Sequence, residues 1–73
     1  MSHVVMAEMV GSVFEVVASP GDIVEPTDPL VILESMKMEI PVVAPVSGTV
    51  REVSVAPDDQ VVEGDLICVI DEA

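Results

Sequence analysis

Among the side chains that could do chemistry, Lys37 stands apart, because it is the only lysine in the 73 residues. It lies in Glu34-Ser35-Met36-Lys37-Met38-Glu39, between the apolar runs 30–33 and 40–43. An amine that acts as a nucleophile or Schiff base needs burial or a cationic neighbour to lower its pKa. The nearest charges here, Glu34 and Glu39, are acidic and act in the opposite sense. The pattern therefore suits an attachment point better than a catalytic amine. On spacing alone the competing account is plain: an exposed charge that discourages edge pairing between strands.

The other reactive groups point to no chemistry. Cys68 has no partner for a disulfide, and in the strand-like run 66–70 a free thiol reads as a small apolar filler. Met6 and Met9 read as core filler as well. His3 has no second ligand beside it, so no metal is expected. Fourteen acidic residues against Lys37 and Arg51 give a formal net charge of −12. Such a surface repels phosphate backbones and anionic membranes and suits a solvated exterior or a basic enzyme partner. Phe14 is the single aromatic, too few for a base-stacking platform. No apolar stretch approaches the roughly 20 residues of a membrane span. The first residues lack the basic and apolar regions of a signal peptide, so a cytoplasmic location is expected.

The elements that must position Lys37 follow from a duplication. Residues 5–34 align without a gap on residues 42–71, an offset of 37, and ten of the thirty positions are identical. The identities include Gly11/Gly48, Val13/Val50, Val16/Val53, Pro20/Pro57, Asp22/Asp59 and Asp28/Asp65. A chain this short makes one domain, 1–73. Seventeen valines and five isoleucines favour pleated sheet. Each half reads as four short strands, at 4–9, 12–17, 22–24 and 30–34, then 38–43, 49–55, 60–62 and 66–71. Turn residues separate them, notably Pro20-Gly21-Asp22, Pro57-Asp58-Asp59 and Glu63-Gly64-Asp65. With no helical period, the fold class is all-β, a sandwich or barrel.

Finer expectations come from the same pattern. Val13/Val16 and Val50/Val53 break strict alternation at equivalent places, which predicts a bulge in each half. Gly11 and Gly48 occupy equivalent turns and are expected to use torsions that a β-branched residue tolerates badly, with equal sensitivity to valine. If the halves are related by a two-fold axis, one end of the molecule carries both termini. The other carries a hairpin with Met36-Lys37 as its two-residue connection. Such turns favour Asn-Gly because both central residues need positive φ, so Met and Lys there predict local strain.

Glu34-Ser35-Met36-Lys37-Met38-Glu39, followed by Ala44-Pro45-Val46-Ser47-Gly48-Thr49-Val50, resembles the biotinyl domain of biotin-dependent carboxylases, within the biotin/lipoyl attachment family. The resemblance runs from Gly11-Ser12-Val13 to Ile70. Ser35 replaces the alanine usual before Met-Lys-Met. The absence of an inserted loop in the first half is similar to domains of multidomain carboxylases and to short stand-alone biotinylated proteins of actinobacteria. A start at Met1 without a Pro/Ala linker favours the stand-alone form.

The resemblance implies a flattened barrel of two four-stranded antiparallel sheets with pseudo-two-fold symmetry. It implies covalent biotin, in an amide with Lys37, installed by biotin protein ligase. The carrier then serves a biotin carboxylase and a carboxyltransferase whose acceptor is commonly an acyl-CoA or pyruvate. The chain itself would be no enzyme, and a monomer when isolated. Met36 and Met38 match the flanking methionines that the ligase reads, the alternative being that they cover the barrel end. Glu34 and Glu39 should face each other across the hairpin, as recognition groups or as a solvated pair. A lipoyl carrier of a 2-oxoacid dehydrogenase or glycine cleavage system is the second reading, disfavoured by the two methionines.

Overall fold

The computed structural model describes residues 1–73. Eight strands follow in chain order: β1 (Ser2–Met6), β2 (Gly11–Val16), β3 (Ile23–Val24), β4 (Pro29–Ser35), β5 (Met38–Val43), β6 (Gly48–Val53), β7 (Gln60–Val61) and β8 (Leu66–Glu72). They form two four-stranded antiparallel sheets, ordered β1-β8-β6-β3 and β5-β4-β2-β7. Moving each strand on by four converts one order into the other, so the sheets carry the two-fold relation of the sequence. There is no helix, and hence none long and apolar enough to cross a membrane.

The core is made of repeat partners. Ala7/Ala44, Val13/Val50, Val24/Val61, Leu30/Ile67, Val31/Cys68 and Leu33/Ile70 are all buried between the sheets. No buried residue is charged, as expected for a small core that cannot offset desolvation of an unpaired charge. Cys68 is one of these fillers. Burial pushes its thiol pKa upward, with the negative charge of Glu52 adding to the effect. Met9 packs against the core, as expected. Met6 does not: it is 52% exposed. The register of β1 on β8 slips after Val5, so Met6 pairs with Leu66 and turns to the outer surface.

Both predicted bulges are present. The register of β2 on β4 shifts between Val13 and Glu15, and that of β6 on β8 between Val50 and Glu52. The extra residues are Phe14 and Arg51, equivalent under the offset of 37. The turns are equally matched. Asp22 and Asp59 accept the amides of Ser19 and Ala56, and Asp28 and Asp65 those of Glu25 and Val62, all at 2.9 Å. Four of the fourteen acids are thus turn-closing groups. Left-handed torsions recur at Gly21/Asp58 and Thr27/Gly64, with glycine in one copy and a side chain in the other.

Two further sequence expectations need correction. Strand 1 was expected over 4–9 but ends at Met6, where the bulge and the Ala7 N–H to the Asp65 carbonyl (2.8 Å) draw the chain away from β8. Gly11 and Gly48 do not have positive φ. They open β2 and β6 and are small because a neighbouring carbonyl crowds the Cβ position. The group is Glu34 O for Gly11, at 2.9 Å, and the closer Asp71 O for Gly48.

Candidate functional site

β4 and β5 pair from Pro29↔Val43 to Ser35↔Met38, leaving Met36 and Lys37 as the connection. Their φ angles are 52° and 65°. Both are left-handed, as a two-residue hairpin matched to strand twist requires. Side chains there cost on the order of 1 kcal/mol each relative to glycine, so the local strain predicted from sequence is present. The paired strands hold the tip firmly: Leu33, three rows from the turn and opposite Ile40, is fully buried.

The hairpin brings together every residue singled out from sequence. Lys37 is exposed, and its amine makes no hydrogen bond or ion pair. A lysine that served this chain as its own catalytic nucleophile or Schiff base would need the opposite surroundings, burial or a cationic neighbour. What this geometry offers is an amine in free solvent on a fixed base, available for acylation. Met36 is 93% exposed and Met38 62%. They therefore stand largely in solvent beside the lysine. Glu34 and Glu39 are a registered pair directly across the hairpin, as expected, and neither meets a cation. No three His, Cys, Asp or Glu converge as a metal site.

One exposed apolar side chain on this sheet lies outside the expected site. Phe14, at the β2 bulge, is 50% exposed on the outside of the sheet that carries the hairpin. The signal was available: a lone aromatic aligned with the lone arginine, beside a break in alternation.

Comparison with known proteins agrees with this picture. A family model described as "Biotin-requiring enzyme" matches residues 3–70. A protein of Mycobacterium leprae named biotinylated protein TB7.3 homolog is 57% identical over 70 residues, which are 96% of this chain and 99% of that one. Pyruvate carboxylase of Staphylococcus aureus is 43% identical over 67 residues, 92% of this chain and 6% of the enzyme. Among solved structures, the urea carboxylase of Kluyveromyces lactis superposes with a TM-score of 0.92 at 37% identity, over 97% of this chain and 6% of that one. Duplicated barrel, lysine hairpin and sequence similarity lead to one assignment: this chain belongs to the biotin/lipoyl attachment family and is a biotinyl domain.

Proposed function

We propose that the chain is a biotin carboxyl carrier whose Lys37 forms an amide with the carboxyl group of biotin. The supporting observation is the free Lys37 amine on a strained two-residue turn, between two exposed methionines. The residues suit the group: the amine is unpaired, in solvent, and carried on a four-carbon stem that extends the reach of whatever it holds. Bound biotin supplies a ureido nitrogen that takes up and releases a carboxyl group. The protein supplies position. Met36 and Met38 present apolar surface to the ligase, β4 and β5 hold the attachment point rigid, and Lys37 tethers the group so that two active sites meet it at high effective concentration.

Biotin protein ligase, a biotin carboxylase and a carboxyltransferase are the partners this function requires. The chain contributes no catalytic group to their reactions. The lipoyl alternative has less support, since the relatives described above are named for biotinylation or are carboxylases.

The test is expression with ample biotin and ligase, followed by intact mass, native gel and avidin blot. One biotin amide is expected per chain. It removes one positive charge from a protein of formal net charge −12, so the modified form should migrate faster. Lys37→Arg should fold normally and lose all avidin binding. Residual binding in that variant, or a lipoyl mass increment in the native protein, would refute the assignment.

A further inference from the structure

The edge strands β1 and β5 are repeat partners, and both line one open groove. β1 pairs only with β8 and β5 only with β4, and no backbone hydrogen bond joins the two edges. The seam between them encloses about 540 Å³, lined chiefly by Val5, Met6, Met9, Leu33, Ile40 and Val42. That volume lies within the range of small-molecule sites, about 300–1,000 Å³, and such sites are mostly apolar with a few polar groups. Here the polar groups include the unpaired N–H and C=O groups that any sheet edge presents.

Two equivalent strands would make a symmetric seam, and this one is not symmetric. Met9, Leu33, Glu63 and Gly64 line it, whereas their repeat partners Val46, Ile70, Pro26 and Thr27 lie outside it. All four belong to the half nearer the lysine. Leu33 is opposite Ile40 in the hairpin, Met9 leads into Gly11, which abuts Glu34 and Ser35, and Gly64 donates to the Ala7 carbonyl at 2.8 Å. The side chains differ in the same sense. Met6 and Met9 stand where the other half has Val43 and Val46, placing flexible, adaptable groups on the lysine side. The seam has thus been widened and softened at the end that carries Lys37.

We infer that the half of this seam nearest the hairpin docks the bicyclic ring of the biotin carried on Lys37. The inference rests on Lys37 being the attachment site. Ile40 is three residues along β5 from Lys37, about 10 Å. The arm from the Lys37 Cα to the ring has about eleven bonds and extends to about 13 Å. It therefore reaches Ile40, while Val43, about 20 Å along the strand, is out of range. A ring laid in the groove buries its hydrocarbon and sulfur against apolar side chains, and its ureido edge meets the free strand edges. The groove holds the ring on the carrier until an enzyme binds it more tightly.

The experiment compares amide NMR spectra of the unmodified and fully biotinylated protein. Biotinylation should shift Met6, Ala7, Met9, Ile40 and Val42 as well as the hairpin residues 35–39. Ile40→His copies onto the lysine side the residue that the other half already carries at His3, so the fold should tolerate it. It should reduce the shifts at Met6 and Met9 by more than half, as should Met6→Glu at the exposed rim, while His3→Ile should leave them unchanged. A ring docked about two-thirds of the time leaves one-third free, so streptavidin should capture biotinylated Ile40→His about threefold faster than wild type. Shifts confined to residues 35–39, or wild-type shifts in both Ile40→His and Met6→Glu, would overturn the docking groove alone. A wild-type protein whose intact mass shows no biotin on Lys37 would overturn the attachment site and the groove with it.

Discussion

At one end of the barrel Ser35 pairs with Met38 and the chain turns back through Met36 and Lys37. At the other end the equivalent positions are Glu72 and Met1, held by the Glu72 N–H to the Met1 carbonyl at 2.7 Å. The next row is Ser12–Glu34–Glu39 at the first end and Thr49–Asp71–Ser2 at the second. Backbone, register and core match, yet the charges differ. The terminal end pairs Asp71 with Arg51 and sets it opposite a serine. The lysine end opposes two glutamates directly and leaves them unpaired, an arrangement that is mildly destabilising in isolation. The two ends share register and core but differ in surface charge.

Substitutions at paired positions can break or sharpen this comparison. The largest effect is expected at Gly48, where an added Cβ runs into the Asp71 carbonyl and the Ile70 side chain. Gly48→Val should cost more than about 4 kcal/mol, enough to unfold a domain of this size. Gly11→Val, with the Glu34 carbonyl 2.9 Å from the Cβ position, should cost about 1–2 kcal/mol. Equal losses in urea denaturation would mean that the two strand starts are as alike as the sequence suggested.

Leu33 and Ile70 are repeat partners, each fully buried. Leu33→Ala and Ile70→Ala should each cost about 3 kcal/mol, within about 1 kcal/mol of each other. A clear inequality in their unfolding midpoints would show that the core is less symmetric in energy than in geometry. The smallest effect belongs to Arg51→Ala. The ion pair it removes is 57% and 47% exposed on its two sides, and water and salt screen such pairs. The stability change should be about 0.5 kcal/mol or less by calorimetry. A larger loss would make Arg51 a structural clamp rather than a surface pair.

Much of the molecule was legible in the chain because its determinants are local or repeated. Pro20-Gly21-Asp22 and its partner marked turns whose aspartates close back over three residues. The broken alternation at Val13/Val16 and Val50/Val53 marked bulges, and the run around Lys37 marked a two-residue hairpin. The strands lie close to their expected places, and the exception, β1, ends early because Ala7 bonds to Asp65, distant in sequence. The same kind of distance explains the other misreadings. Gly48 is small because of Asp71, twenty-three residues on, and Met6 is exposed because β1 slips on β8.

The sequence by itself therefore determined the number of elements, the two-fold relation and the placing of Lys37 on a strained tip, because turn chemistry and internal repetition act over a few residues. The tertiary structure alone decided which strands share a sheet, which carbonyls crowd the strand-opening glycines, and that Arg51 meets Asp71 and Ser2. Those outcomes depend on registers between strands far apart in the chain, and register emerges only when both faces of the barrel close over one core.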